Sequence, residues 1–318
     1  MSVPVLPAVV NDPVLPTDVR GRVLLTGATG LIGGTLAERL AAAGRPVRRV
    51  TRAPDRLAPL AGSDAVGWDG LTLPAEALDG VSAVVHLAGE PIFGGLPTRA
   101  RRERMWRSRV DSTHALVERI AERPPGERPG VLVCASAVGY YGDRGDEELR
   151  EEAAPGKGFL AELCVAWEAE ARRAEAHGLR VARVRFAVVL SPAGGALPAL
   201  TLVFKSGLGG RIGSGRQWFP WIHGDDAVAL VERALDDERV DGALNAVAPG
   251  LLRNADFART LARSLNRPAL VPVPAFAVRL ALRDLASELL DSRRVLPAVA
   301  ESLAFPFAHP SLGDGPFR

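Results

Sequence analysis

From Arg22 onward, short apolar runs rich in β-branched residues alternate with longer stretches of helical period. The runs fall at 23–26, 47–51, 83–87, 131–135 and 181–190. This alternation predicts an α/β, doubly wound parallel sheet with helices on both faces. Between the first two runs Ile32, Leu36 and Leu40 recur on one helical face, and Gly44 supplies the left-handed exit that closes a helix. Two further helices are expected over 101–123, stopped by Pro124, and over 160–177, closed at Gly178.

After Leu190 the texture changes. Residues 191–224 are rich in Gly, Ser and Pro, with a short apolar segment at 197–204, and read as loops over a cleft. A helix follows with Asp225 as its N-cap and Ala227, Val228, Val231 and Leu235 on one side. The tail carries helical patterns at 255–265 and 276–290 between prolines, a smaller and mainly helical lobe. The expected organisation is an extension over 1–20, an α/β core over 21–190 completed by 225–248, and cleft loops with a C-terminal lobe formed by 191–224 and 249–318.

Composition narrows the setting. The chain has 318 residues, 47% hydrophobic, enough for a full core. A formal charge of +2 gives no reason to expect nucleic acid or an acidic membrane surface as a partner. Cys134 and Cys164 form no CxxC pair, no metal-ligand spacing is present, and a reducing cytoplasm is the default. The proline-broken start differs from a signal peptide, and no run has the apolar length of a membrane span. A monomer or homodimer acting on a small molecule is expected.

The sharpest signal is Thr26-Gly27-Ala28-Thr29-Gly30-Leu31-Ile32-Gly33, between a strand and an amphipathic helix. The first glycine permits a tight turn, the second lets backbone approach a pyrophosphate, and the third lets helix pack on strand, with the phosphates at the helix's positive end. The second strand ends Thr51-Arg52, without the carboxylate that would accept a ribose 2′-hydroxyl. A guanidinium there suits the 2′-phosphate of NADP(H), a solvated surface arginine being the alternative.

With these residues the chain resembles the epimerase-like, atypical extended short-chain dehydrogenase/reductases, the NAD-dependent epimerase/dehydratase family, often labelled cell-division-inhibitor-like. The resemblance also rests on 87–92 (LAGEPI), 108–110 (SRV), 139–142 (GYYG), Trp167-Glu168, 207–210 (GLGG), 213–215 (GSG) and 221–223 (WIH). It implies a Rossmann-type core, a C-terminal substrate lobe and a tail domain of unknown function. It further implies that Thr51 and Arg52 hold the adenosine phosphate, that Leu87, Ala88 and Gly89 line the cofactor, and that Arg104, Arg109 and Val188 lie near its nicotinamide half or phosphates. The chain departs from the family in having His86 where Asn is usual and in lacking an Arg-Trp pair within 93–97.

Most short-chain dehydrogenases place a tyrosine and a lysine four residues apart on one helix. This chain's tyrosines are Tyr140 and Tyr141 and its lysines Lys157 and Lys205, so YxxxK cannot occur. Alignment through Trp167-Glu168 puts Leu160 and Cys164 at the pair's positions, on an apolar stripe with Leu163 and Ala171. The remaining catalytic candidates are Ser136 and Tyr141, whose phenol is expected near its ordinary value of about 10 and is a poor base at neutral pH. Tyr140, Gln217, Trp221 and His223 are expected on the substrate side, with packing roles as the alternative. The acidic residues Glu147, Glu148, Glu151 and Glu152 read as a solvated face. Two functions follow: an NADP(H)-dependent oxidoreductase or epimerase on a small polar, sugar-like substrate, or an NADPH-binding regulatory or scaffold protein without turnover.

Overall fold

The computed structural model describes residues 21–313 apart from Gly94 and Leu270, so the expected N-terminal extension and residues 314–318 of the tail lie outside the described residues. The first half runs β1 (Arg22–Thr26), α1 (Leu31–Ala42), β2 (Val47–Thr51), β3 (Ser63–Gly67), β4 (Val81–His86), α2 (Arg99–Trp106), α3 (Ser112–Ala121) and β5 (Val131–Ala137). Burial follows the sequence period: Leu36, Ala37 and Leu40 are the buried face of α1, and Gly44 leaves that helix with a positive φ of 73°. The long helix expected over 101–123 is interrupted between α2 and α3 by a π-helical turn, Arg107–Asp111. Such turns re-aim side chains and recur at functional sites.

Next come β6 (Glu148–Leu149), α4 (Phe159–Arg172), β7 (Arg180–Phe186), β8 (Val188–Ser191), β9 (Gly194–Gly195), α5 (Leu197–Lys205), β10 (Trp221–His223), α6 (Gly224–Asp236) and β11 (Gly242–Ala246). The tail holds α7 (Asn254–Ser264), α8 (Ala275–Leu282), α9 (Ser287–Leu290), β12 (Arg294–Val295) and α10 (Ala298–Ser302). Seven strands form one sheet in the order β11-β7-β5-β4-β1-β2-β3, and all its pairings are parallel. Chain order reverses between β1 and β4, which opens a crevice at the carboxyl ends of these strands. Two apolar clusters fill the faces of the sheet, and a third packs the C-terminal lobe.

Among the further differences from the sequence reading, three concern how the elements are bounded or joined. The apolar run 181–190 is not one strand: it breaks at Ala187, β7 pairing with β5 and β11 while β8 pairs with β10 in a separate sheet. Ala187 N bonds to Ala246 O and Val188 N to Pro220 O, so the handover is decided by which backbone lies alongside. Strand β3 escaped notice because SDAVG has little apolar pattern; an ion pair between Arg48 and Asp64, 2.8 Å, anchors this edge. The N-cap of α6 is His223, whose Nδ1 accepts from Asp225 N at 3.2 Å. Asp225 already lies in the first helical turn and pairs with Arg39.

Candidate functional site

The glycine-rich turn lines a cleft made of two contiguous cavities, about 380 Å³ and 420 Å³, that share Gly27, Gly30, Leu87, Gly89 and Glu90. Gly27 has φ 72°, and a Cβ there would sit 2.8 Å from Leu87 C. A Cβ on Gly33 would stand 2.3 Å from Gly27 O. Only glycine lets the helix seat against the turn so closely, and Gly30 offers α1 no side-chain cap. The first-turn amides are therefore available to an anion.

The first cavity is lined by Thr29, Thr51, Arg52, Ala88 and Ser108; Leu31, Ile32, Gly33, Arg109, Ser136 and Val188 line the second. Arg109 is buried on the π-helical turn, its guanidinium 5.2 Å from the Trp167 ring. Ser136 donates its hydroxyl proton to Glu168 Oε1 at 2.7 Å, so toward the cleft it can act only as an acceptor. Leu160, Leu163, Cys164 and Trp167 form the apolar wall, and burial pushes the Cys164 thiol up to about 12.

Beneath the turn, Thr26 Oγ1 accepts from Leu87 N (3.2 Å) and Ala88 N (3.1 Å) and lies 2.8 Å from His86 Nδ1. Its single proton therefore points at Nδ1, and His86 is the Nε2–H tautomer facing Ser112 Oγ. Burial lowers the imidazole to about 4, so it is neutral in the folded protein. The unfolded chain takes up that proton below 6.5, so the contribution of neutral His86 to stability is complete above pH 6.5 and lost as pH falls toward 4. The loss is expected to be about 3 kcal/mol. A His86→Asn variant is expected to show a flatter stability profile across that window, and urea-unfolding midpoints at several pH values measure it.

Several expected site residues do not line the cleft. Tyr141 is fully buried; its hydroxyl donates to Asn245 Oδ1 (2.7 Å) and accepts from Arg185 Nη1 (2.8 Å). Burial pushes this phenol up to about 12 against the opposing pull of Arg185, correcting the expectation of an ordinary value. Tyr140 lies beneath the Arg185 guanidinium, 3.6 Å from ring centre to Cζ. Trp221 is a core residue donating to Gly250 O, and Gln217 donates to Ile212 O and Leu289 O. His223 caps α6, and Arg104 sits on the rim, 3.9 Å from Glu90. Glu151 is not on a solvated face: its Oε1 accepts from Asn245 N and Val299 N inside the fold. Metal-type donors of His223, Asp225 and His309 lie within 4.8 Å of one another, although no sequence spacing announces them.

Sequence reasoning missed Glu288, which reaches the second cavity from α9. Its local setting, Ser-Glu-Leu-Leu, looks like any short helical segment, and no motif marks it.

A parallel sheet in this strand order, with a glycine cradle at its switch point, defines a dinucleotide-binding fold of the Rossmann class. The chain belongs to the NAD dependent epimerase/dehydratase family, whose model matches residues 23–246, and a domain of unknown function (DUF1731) matches residues 273–314. It is 37% identical to the human epimerase family protein SDR39U1, over 92% of this chain and 97% of that one. The Arabidopsis thaliana SDR39U1 homolog, described as chloroplastic, is also 37% identical, over 92% and 84% of the two chains. The crystal structure of human SDR39U1 (isoform 2) with NADPH superposes with a TM-score of 0.81 at 34% identity, covering 93% of this chain and 98% of that chain. A nucleoside-diphosphate sugar epimerase from Corynebacterium glutamicum matches at TM-score 0.74 and 36% identity, covering 92% of this chain and 56% of that one. Among the described residues, no helix is long and apolar enough to cross a membrane.

Proposed function

We propose that this chain binds NADP(H) and is an oxidoreductase or epimerase acting on a small polar, sugar-like substrate. The observation that carries this reading is the backbone cradle of Gly27 and Gly33 facing a cavity edged by Thr51 and Arg52. A pyrophosphate fits the first turn of α1, and Arg52 suits a phosphate on the adenosine ribose. The NADPH bound to the human relative and the sugar-epimerase neighbour support the same reading. When bound, the nicotinamide supplies or accepts hydride. Arg109 supplies positive charge to the second cavity, Ser136 accepts a hydrogen bond there, and Leu160, Cys164 and Trp167 exclude water. In this reading residues 21–190 with 225–248 form the cofactor half, and 191–224 with the tail form the substrate half. The free, buried Cys134 and Cys164 favour a reducing compartment such as the cytoplasm.

The expected result is tighter binding of NADPH than of NADH in a fluorescence titration. Arg52→Ala should weaken NADPH by roughly ten- to a hundredfold, the worth of one charged contact, and leave NADH nearly unchanged. Equal affinities in the unaltered protein would overturn the assignment of Arg52. The alternative, a nucleotide-binding protein without turnover, draws on the apolar residues Leu160 and Cys164 in place of the relay and on the sequestered Tyr141.

A further inference from the structure

The cleft contains a carboxyl group that belongs to no tyrosine-lysine relay. Glu288, in the C-terminal region, lines the second cavity together with Ser136, Leu160, Cys164 and Val188, and its side chain is only 10% exposed. A Cβ built on Gly139 would stand 3.8 Å from Glu288 Oε2, 3.6 Å from Leu160 Cβ and 3.9 Å from Cys164 Sγ, so these three side chains converge on one spot. Leu160 and Cys164 occupy the positions that alignment gives to the missing pair. A carboxyl group from another part of the chain therefore stands beside that place.

The segment carrying Glu288 is held in place. Arg293, buried, lies 3.3 Å from Glu288 Oε2 through Nη1 and donates through Nε to Gly142 O at 3.2 Å. Ser292 both donates and accepts: its N–H goes to Asp143 Oδ1 and its Oγ–H to Gly145 O, while its Oγ accepts from Trp218 N at 3.2 Å and its carbonyl from Arg144 N at 3.0 Å. Gln217 donates to Leu289 O at 3.1 Å, and β12 pairs with β6. A fixed geometry is what proton transfer requires.

We propose that Glu288 is the acid–base residue of this cleft, exchanging a proton with the carbonyl or hydroxyl oxygen of the substrate. This rests on the NADP(H)-dependent reading above. In the reducing direction the Glu288 O–H bond breaks and the proton passes to the substrate oxygen. The hydride gained by the carbonyl carbon is the one supplied by the reduced nicotinamide, which ends oxidised. The carboxylate regains its proton from water, and oxidation runs in reverse. Burial raises the Glu288 carboxyl above the usual carboxylate range, with Arg293 opposing and Asp291 adding to the rise. The groups facing it are those two on its own segment and Cys164 on α4, with Arg109 beyond the thiol.

The test compares the unaltered full-length protein with Glu288→Gln, measuring NADP⁺ and NADPH affinity from pH 5 to 9. An ionising carboxyl beside the nicotinamide should favour the positively charged oxidised ring, so the NADP⁺ preference should grow at least threefold as pH rises. Glu288→Gln should abolish that rise. On a substrate that turns over, kcat should fall at least a hundredfold with KM within threefold. If the glutamine variant does not fold, Glu288→Asp should keep the pH dependence but shift its midpoint and lower kcat about tenfold. Tight nucleotide binding with the same pH profile in the variant that folds would overturn the role of Glu288 alone. Failure of the unaltered protein to bind either nucleotide would instead overturn the functional reading on which it rests.

Discussion

Gly33→Ala is expected to lower NADP(H) affinity at least a hundredfold while the sheet still folds. The new Cβ would lie 2.3 Å from Gly27 O, 2.8 Å from Gly27 C and 3.2 Å from Ala28 Cα. All three are backbone atoms, so no rotamer change relieves the clash and α1 must draw back from the turn. That movement takes the first-turn amides away from the phosphate position, and a displacement near 1 Å is enough to forfeit such hydrogen bonds. A hundredfold loss corresponds to about 2.7 kcal/mol of binding free energy. Overpacking adds about 1–3 kcal/mol of destabilisation. Calorimetric titration with NADPH measures the first effect and thermal unfolding the second. Unchanged affinity in a folded variant would show that this turn does not grip the diphosphate.

The second large effect is on stability. Glu168→Gln is expected to destabilise the protein by about 3–5 kcal/mol, because it leaves a buried guanidinium without its counter-charge. Both carboxylate oxygens of Glu168 are engaged by Arg185, Oε1 at 2.7 Å from Nε and Oε2 at 2.9 Å from Nη2, and Ser136 donates to Oε1. Arg183 adds a longer contact of 3.7 Å. Burial alone would lower the Arg185 guanidinium, yet the paired carboxylate holds it above the ordinary arginine value. Arg185 also donates to the Tyr141 hydroxyl and to Glu151 O, so the loss would loosen the loop that carries Tyr140 and Tyr141. Denaturant unfolding measures the change. A double variant, Glu168→Gln with Arg185→Met, should recover part of the loss, since it removes the stranded charge. A single variant as stable as the unaltered protein would mean that Arg185 finds another partner.

The same pair shows why Tyr141 looked like a catalytic candidate. In the sequence it is one of only two tyrosines, next to a strand end where short-chain dehydrogenases place substrate. Nothing local reveals that Asn245, on β11, and Arg185, on β7, close around its hydroxyl. Strand β11 itself was illegible, since Gly-Ala-Leu-Asn-Ala carries weak β preference and is a strand because it lies beside β7. The run 181–190 failed for the opposite reason. Its apolar character marks extended chain, but pairing partners decide where one strand ends and the next begins.

By itself, the sequence determined the features that depend on neighbours a few residues away. These are the strand–turn–helix with glycines at 27, 30 and 33, the left-handed helix exits at Gly44 and Gly178, and the apolar stripe of α4 through Leu160, Cys164 and Trp167. Backbone chirality and the 3.6-residue period are local physics, so they can be read from spacing alone. Tertiary structure decided the destinations of the charged and hydroxyl groups: Arg185 onto Glu168, Tyr141 into the core, Glu288 into the cleft. A buried polar side chain is stable only where distant segments bring it a partner, and that pairing exists only once the chain has folded.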